Sequence, residues 1–275
     1  MMPRQRPDIQ TAGNRVRGHP RRTTTPTVDH SRNRGENGSM ETAERAWAGI
    51  DEAWQEAFRQ GWEAVRYGNI GVGACASTPD GEIVHAARNR VNDQDGPHGE
   101  IFGSSLAHAE MNVLARLGFR RHHNLVLTTT LQPCLQCAGA IRLARIGTVR
   151  IAGHDAYWDG YHEFAKLAER EAHRRRTIAR IGPREDELGV FGLLISRFRR
   201  GNPRLVDGFD QELRTLGEGQ VLDLAYELED GGELDRLVAV EVDDALAALW
   251  PRLRPLVKAR KTQGGLPYSR HSYLR

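Results

Sequence analysis

Two side chains that can bind a metal or move protons lie two residues apart in the stretch SSLAHAEMNVLARL, residues 104–117. Apolar residues recur there at helical spacing, which predicts a helix over about 107–118 with His108 and Glu110 in its first turn. The pair has an ordinary explanation, in which Glu110 is an acid favoured at a helix start and His108 is a boundary histidine. The alternative is a site where His108 binds a metal and Glu110 moves protons.

Two cysteines at metal-ligand spacing occur in the stretch TTTLQPCLQCAGAIRLARIG. Cys134 and Cys137 lie between a predicted strand and a predicted helix, where the helix dipole lowers the pKa of a thiol. The same C-x-x-C spacing is found in redox dithiols and in pairs of incidental buried cysteines. Because parallel strands bring the starts of the following helices to one end of a sheet, we expect His108 to join the cysteines. These three side chains would offer three ligands to Zn²⁺ and leave a fourth position for water, which is typical of catalytic zinc.

The elements around these motifs predict an α/β domain. The segment that ends near Arg66 repeats apolar residues every three or four positions and predicts an amphipathic helix. Residues 69–77 predict a buried strand with Cys75 as a core residue. The other predicted elements are strands at 82–87, 124–130, 148–153 and 177–181, and helices at 137–146, 161–174, 187–199 and 242–259. The alternation of strand and helix implies parallel pairing in a sheet that is covered by helices.

Composition divides the chain into three parts. The 275 residues are 39% hydrophobic and 27% charged, which suits a soluble globular protein. Residues 1–39 carry eight arginines against three acids and almost no aliphatic residues, so we expect a disordered leader. An upstream start codon before Met40 and a basic binding arm are the alternatives. Residues 40–200 are predicted to form the catalytic domain, and residues 201–275 a mainly helical C-terminal appendage.

Composition also argues against several classes of protein. No segment approaches the roughly 18 consecutive apolar residues of a membrane span, and the first residues lack the apolar stretch of a secretory signal. Three cysteines do not favour a disulfide framework, so we expect a cytoplasmic protein with reduced thiols. The net charge is +3 for the whole chain but −3 for residues 40–160, so the basic character lies largely in the leader.

The two motifs together resemble the zinc-dependent cytidine and deoxycytidylate deaminase superfamily. The resemblance rests on H-A-E at residues 108–110 with P-C-L-Q-C at residues 133–137, and it covers about residues 42–200. The segments CAGAIRLARIGTVRIAG and FGLLISRF are similar to the bacterial tRNA adenosine deaminase and guanine deaminase branch. The resemblance implies a three-layer α/β/α fold with a mixed, largely parallel five-stranded sheet, and it implies a homodimer.

The resemblance also implies roles for individual residues. His108, Cys134 and Cys137 would hold Zn²⁺, and Glu110 would carry protons from water to the ring and to the departing ammonia. Four further residues would contact the substrate, the first through its side-chain amide and the others around the base: Asn89, Gly73, Ala74 and Ala109.

Two segments depart from the compact tRNA-modifying enzymes of this branch. The loop at residues 89–108 is longer and could fold over the mouth of a pocket, and we expect its His98 to be a solvated loop residue. Aromatic side chains follow the strand at 148–153, where they could stack on a base or pack the next helix onto the sheet. They are Tyr157, Trp158, Tyr161 and Phe164.

The sequence thus predicts zinc-dependent hydrolytic deamination of a free nucleobase or nucleoside, with release of ammonia. Deamination of adenosine to inosine in tRNA is the alternative enzyme, in which Arg197, Arg199 and Arg200 could contact phosphate. A catalytically idle zinc-binding scaffold is the alternative of another class. The acidic balance of the catalytic segment favours a small substrate over tRNA, and the intact Glu110 argues against the idle scaffold.

Overall fold

The structure is a computed structural model of the chain. It describes residues 43–119, 122–158, 179–181, 186–205 and 208–262. All of them belong to one compact unit, which spans residues 41–275. The leader at 1–39 and the helix expected at 161–174 lie outside the described residues. Among the helices that are described, none has both the length and the apolar composition to cross a membrane.

Helices and strands lie close to the positions that the sequence patterns predict. The strands are β1 (Gly73–Ser77), β2 (Ile83–Arg88), β3 (Val126–Leu131), β4 (Thr148–Gly153) and β5 (Ala179–Ile181). The helices are α1 (Ala43–Ala48), α2 (Glu52–Arg66), α3 (Ala109–Arg116), α4 (Leu135–Ala144), α5 (Glu187–Ile195), α6 (Phe209–Thr215), α7 (Gly219–Asp230), α8 (Glu233–Leu237) and α9 (Val242–Thr262). The helix predicted to end near Arg66 is divided before α2, where the Asp51 carboxylate accepts the N–H of Trp54 at 3.1 Å and caps the new helix.

The strands form one mixed sheet in the order β2-β1-β3-β4-β5. β1 is antiparallel to both of its neighbours, with Ala74 opposite Ala87 of β2 and Thr129 of β3. β3, β4 and β5 pair in parallel. β2 therefore runs in the same direction as β3, although the two do not pair, because the hairpin of β1 and β2 places β1 between them. The expectation of a mixed sheet is confirmed.

Helices cover both faces of the sheet. Successive residues of a strand point to opposite faces, so neighbouring residues contact different helices. Thr130 faces α2, where its methyl group lies near Gly61. Its neighbour Thr129 faces α3, to which its hydroxyl donates a hydrogen bond. α2 and α5 pack together on the first face through Phe58 and Phe191, whose ring centroids are 6.0 Å apart, and α3 and α4 pack on the second. The result is an α/β/α arrangement.

The C-terminal helices pack against α2 and α5. Buried apolar side chains of α7, α8 and α9 belong to the same hydrophobic cluster as Trp62 and Phe191. The indole N–H of Trp62 also donates to the carbonyl of Val240 at 3.0 Å. The segment after residue 200 is therefore mainly helical where it is described, and it shares one core with the sheet. The domain boundary at residue 201 stays a prediction.

Candidate functional site

The carboxyl ends of three strands meet at one edge of the sheet and border a cavity of about 280 Å³. Asn89 follows β2, Gln132 follows β3, and Asp155 lies just beyond β4. All three side chains line the cavity, together with His108 and Glu110. Open α/β sheets bind their ligands at this edge, so the cavity lies where the topology predicts a site.

His108 and Cys134 occupy equivalent positions, because each is the N-cap residue of a helix. The expectation that His108 lies in the first turn of α3 was wrong by a small margin, since its backbone is extended and the helix begins at Ala109. An N-cap residue has non-helical backbone angles. Neither side chain makes a capping hydrogen bond to its own helix. Their ligand atoms face each other instead.

Three ligand atoms meet at the starts of α3 and α4. His108 Nδ1 lies 3.4 Å from Cys134 Sγ and 3.3 Å from Cys137 Sγ. The three ligand atoms all lie within 4.8 Å of one another, and we call His108, Cys134 and Cys137 the metal cluster. Zn–N and Zn–S bonds are about 2.0–2.3 Å long, so atoms at these separations can share one ion. Cys75 lies apart in β1, where burial raises the pKa of its thiol to about 12.

The two thiols of the metal cluster hold their protons with different affinities. A hydrogen bond from Cys137 lowers the pKa of Cys134 to about 4 against the effect of burial, and the contact with His108 lowers it as well. The same hydrogen bond, together with burial, raises the pKa of Cys137 well above its ordinary value. Cys134 is therefore a thiolate at neutral pH beside an imidazole. This set of sulfur and nitrogen donors fits Zn²⁺.

Glu110 lies buried beside the metal cluster without belonging to it. Its Oε1 accepts a hydrogen bond from the Thr129 hydroxyl at 3.0 Å, and its Oε2 lies 3.4 Å from the Cys137 sulfur. Burial raises the pKa of Glu110 above its ordinary value, although the charge of His108 opposes this effect. A fixed carboxyl group with a raised pKa is suited to exchange protons near neutral pH.

The residues predicted to contact a substrate lie in two different places. Asn89 lines the cavity, and its Oδ1 accepts the N–H of Val91 at 3.1 Å. The amide N–H groups of Asn89 donate to none of the described residues. The other three are buried within β1 and α3 and are not among the residues that line the cavity: Gly73, Ala74 and Ala109. Their contact with a substrate stays a prediction.

The similarity to known proteins falls on these same elements. The model of the cytidine and deoxycytidylate deaminase zinc-binding region matches residues 49–152, which include Glu110 and the whole metal cluster. The tRNA-specific adenosine deaminase of Bacillus subtilis (strain 168) is 31% identical over 150 residues, or 53% of this chain and 86% of that protein. The chain belongs to this zinc-binding deaminase family.

Two further known proteins are similar to this chain over shorter stretches. The tRNA-specific adenosine deaminase 2 of Xenopus tropicalis is 33% identical over 104 residues, which cover 36% of this chain and 59% of that protein. The solved structure of guanine deaminase from Bacillus subtilis is 23% identical, with a TM-score of 0.33, and the match covers 48% of this chain and 81% of that chain. The family and the donor set of the metal cluster agree on zinc as the cofactor.

A buried ionic network borders the cavity of this family member, and the sequence did not predict it. Arg197 Nη2 lies 3.0 Å from Asp155 Oδ1, and Arg197 Nε donates to Glu218 Oε2 at 2.8 Å. Glu218 Oε1 also accepts the N–H of Ala156 at 3.0 Å. We call Asp155, Arg197 and Glu218 the ionic network. The rule that ligands bind at the carboxyl ends of parallel strands could have found Asp155, but no sequence signal connects it with the other two.

Three side chains from the segment after residue 200 complete the cavity. These are Asn202, Arg204 and Phe209, which we call the C-terminal wall. Two short 3-10 turns, Arg199–Gly201 and Pro203–Leu205, fix the backbone on either side of Asn202. The segment carries no motif that pointed to a role in the site.

Tyr157, the first of the aromatic residues after β4, packs on Phe209 of the C-terminal wall. The Tyr157 ring meets Phe209 edge to face with the centroids 4.7 Å apart, and it meets Trp158 in the same way at 4.8 Å. The helix that these aromatic residues were expected to pack onto the sheet lies outside the described residues, so that role stays a prediction. Trp158 also lines the cavity, where it could contact a base. Tyr161 and Phe164 lie outside the described residues.

The long loop at residues 89–108 is held in place by charged pairs. Asp93 accepts hydrogen bonds from Arg88 at 2.7 Å and from Arg90 at 2.9 Å. The loop contributes three further residues to the cavity: Val91, Asn92 and Ser105. His98 is exposed and is not among the lining residues, so the expectation of a solvated histidine is confirmed.

The arginines considered as phosphate contacts are engaged by acidic side chains. Arg199 pairs with Glu229, with Nε 3.3 Å from Oε2, and also with Asp230. Arg200 donates to Asp235 Oδ1 at 2.7 Å. Arg197, the third of these arginines, is the buried centre of the ionic network. The positive charge of this segment is therefore largely compensated within the protein.

Proposed function

We propose that this protein catalyses the zinc-dependent hydrolytic deamination of a free nucleobase or nucleoside and releases ammonia. The observation that carries the proposal is the buried Glu110 carboxyl group, which lines the cavity and contacts the metal cluster. Burying a carboxyl group away from water costs free energy. A zinc-binding scaffold without activity would gain nothing from this group, which is why we favour an enzyme.

The roles of the residues follow from their positions. His108, Cys134 and Cys137 would hold the zinc ion, which would make a water molecule nucleophilic at neutral pH. Glu110 takes a proton from water on a carboxylate oxygen while the water oxygen bonds to the amino-bearing ring carbon. Glu110 passes this proton to the adjacent ring nitrogen, whose double bond to that carbon becomes a single bond. Glu110 then carries the remaining proton of the added hydroxyl to the amino group. The C–N bond breaks, ammonia leaves, and the ring keeps a carbonyl group and a protonated nitrogen.

Two kinds of side chain position the substrate in this proposal. The amide N–H groups of Asn89 donate to a sugar or base oxygen, because the protein leaves them without a described acceptor. Trp158 and Phe209 offer apolar ring faces along the cavity. Thr129 holds Oε1 of Glu110 with a hydrogen bond of 3.0 Å, which keeps the carboxyl group in place for both proton transfers.

The walls of the cavity favour a small, compact substrate over an RNA. The loop at residues 89–108 and the C-terminal wall both contribute side chains, so the cavity is bordered by more than the strand ends. Binding to an RNA backbone relies on basic side chains that neutralise phosphates. Arg199 and Arg200 are paired with acids, and this reduces what they can offer to phosphate.

Deamination of adenosine to inosine in tRNA is the second candidate function. The 31% identity to a tRNA-specific adenosine deaminase favours it. Arg204 is exposed at the cavity and forms no ion pair with any described residue, so it could contact a phosphate group.

We also propose that the enzyme is a homodimer in the cytoplasm. Leu135 and Leu143 of α4 are 41% and 68% exposed, and pairing of two subunits beside the site would cover them. A reducing compartment would keep the cysteines of the metal cluster as thiols. Analytical ultracentrifugation tests the dimer, and a monomer at all working concentrations would contradict it.

An ammonia-release screen with the purified protein tests the proposed reaction. The panel contains adenine, guanine, cytosine and their nucleosides, and inosine formation in an anticodon stem-loop is measured in parallel. We expect turnover of at least one small substrate and its loss in a Glu110→Gln control. Salt-sensitive editing of the stem-loop, without turnover of any small substrate, would favour the second candidate.

A further inference from the structure

Asn202 is a buried amide in the cavity that makes no side-chain hydrogen bond to the described protein. The residue is only 6% exposed, and its Oδ1 is fully buried without a partner. Its Nδ2 likewise donates to none of the described residues. Leaving a buried polar group in this state costs free energy, and native proteins contain few such groups.

Two other buried amides of the same region are satisfied at both ends. Asn112 accepts the N–H of Ile101 at 2.7 Å and donates to the carbonyl of Ile101 at 3.1 Å. Gln132, which also lines the cavity, donates to the carbonyl of Trp158 at 3.0 Å and accepts the N–H of Asp155 at 3.3 Å. Asn202 therefore differs from these two amides and resembles Asn89, the other cavity amide with open N–H groups and the one that the proposed function assigns to the substrate.

The backbone around Asn202 is held firmly, so the open amide does not come from a loose loop. Asn202 N–H donates to the carbonyl of Arg199 at 3.0 Å, and its own carbonyl accepts the N–H of Leu205 at 3.1 Å. The preceding Gly201 carbonyl accepts a hydrogen bond from Asn92 Nδ2 at 3.1 Å. A Cβ at residue 201 would overlap the carbonyl of Asn69, which shows how closely the two segments pack.

We infer that Asn202 is a substrate-binding residue of the proposed deaminase, and this inference rests on that proposed function. The terminal torsion of an asparagine is broad, and this amide has no hydrogen bond to lose when it turns. It can therefore present either its N–H or its carbonyl to a ligand in the cavity. The ligand chemistry is a polar edge with a donor or acceptor, which either the heterocyclic ring or a sugar hydroxyl can provide.

The position of Asn202 in the chain suits a role in specificity. It lies outside residues 49–152, the part that matches the family model, whereas the metal cluster and Glu110 lie within it. A site that hydrogen-bonds one substrate rejects an analogue that leaves its polar group unpaired. Asn202 thus distinguishes among ring or sugar substituents while the chemistry at the metal cluster stays the same.

Asn202→Leu and Asn202→Asp test the inference in the purified zinc-containing protein. Because the native amide has no protein partner, we expect Asn202→Leu to keep its zinc and to unfold at the same temperature or higher. We expect its kcat/KM to fall about tenfold or more, which corresponds to one hydrogen bond with the substrate. Asn202→Asp keeps the shape and the acceptor, so it should lose less with a ligand that donates. Asn112→Leu is the structural control, and its unfolding temperature should fall.

The kinetic measurements compare the wild type and the Asn202 variants on a free base and on its nucleoside. A loss of kcat/KM on both assigns the contact to the ring, whereas a loss on the nucleoside alone assigns it to the sugar. If the wild-type protein accepts only the stem-loop, the proposed function is wrong, and the same variants on the stem-loop still decide the role of Asn202. Unchanged kcat/KM in Asn202→Leu on every accepted substrate would overturn the inference. A wild-type protein with no turnover on either class would overturn both.

Discussion

The metal cluster and the C-terminal wall border the same cavity, but they are built in different ways. The metal cluster comes from two helix starts, and its ligand atoms contact each other at 3.3–3.4 Å. The C-terminal wall comes from the segment after α5, where two 3-10 turns flank Asn202 and α6 begins at Phe209. The side-chain amide of Asn202 has no described hydrogen-bond partner. The ligand atoms of the metal cluster contact one another, whereas the side-chain amide of Asn202 in the C-terminal wall stays available to a ligand in the cavity. We infer that the first region performs the reaction and the second selects the substrate.

The ionic network joins the end of β4 to the segment that carries the C-terminal wall. Arg197 joins Asp155, beyond β4, to Glu218, just before α7, and all three side chains are buried. A buried ion pair adds little net stability, but breaking one by removing a single partner is costly. The network therefore fixes where the C-terminal helices lie relative to the strand ends.

Replacing a cysteine of the metal cluster should have the largest effect. We expect Cys137→Ser to lose zinc, turnover and thermal stability together, because the bound ion connects the starts of α3 and α4. Elemental analysis and thermal unfolding measure the change. Cys75→Ser is the matched control, since Cys75 is equally buried but lies in β1, and it should keep its zinc. Unchanged zinc in Cys137→Ser would contradict the assignment of the metal cluster.

Glu110→Gln separates proton transfer from metal binding. We expect it to keep zinc and fold while turnover falls by roughly 10²–10⁴-fold, as general acid–base catalysis implies. Steady-state kinetics and elemental analysis on the same preparation give both values. Loss of zinc in this variant would make Glu110 a ligand and would remove the distinction between the two roles.

Arg197→Met tests whether the ionic network holds the C-terminal wall in place. The change leaves Asp155 and Glu218 buried without their partner, so we expect the free energy of unfolding to fall by roughly 3–5 kcal/mol. Chemical denaturation measures it. Neutralising both acids in the same chain, with Asp155→Asn and Glu218→Gln, should restore part of the loss. A single variant as stable as the wild type would show that the network does not organise the wall.

Asp93→Asn is expected to give the smallest effect, and one that depends on pH. Burial alone would raise the pKa of Asp93, but hydrogen bonds from Arg88, Asn69 and Arg90 lower it below its ordinary value. The carboxylate therefore stabilises the fold above about pH 3.9, the pKa of an unfolded aspartate, and this contribution is lost as the pH falls through the folded-state pKa.

Thermal unfolding at several pH values measures this difference between Asp93→Asn and the wild type. The difference should be constant at neutral pH and should shrink below the folded-state pKa. Asp95→Asn changes an exposed acid of the same loop and should unfold like the wild type at neutral pH. A constant deficit of Asp93→Asn down to the lowest pH would show that its charge has no part in holding the loop.

Local patterns in the sequence determined the catalytic half of this site. Helical periodicity and the H-A-E and C-x-x-C spacings predicted α3, α4 and the side chains that meet at their starts, because these signals act over a few residues. The family resemblance then implied Zn²⁺, which the match to the zinc-binding region supports. The exact start of α3 was missed by one or two residues, because propensity does not distinguish the cap His108 from the first turn.

Only the tertiary structure decided what surrounds that half. Asp155, Arg197 and Glu218 are separated by tens of residues and share no period or motif. Each buried charge would be costly without an oppositely charged partner, so the fold places them close together. The same holds for Asn202, which the packing of Gly201 against Asn69 brings to the cavity. Contacts between distant segments depend on how whole helices pack over the sheet, and no local pattern encodes that arrangement. The sequence therefore determined which metal ligands and which carboxyl group are present, and the fold decided which side chains border them.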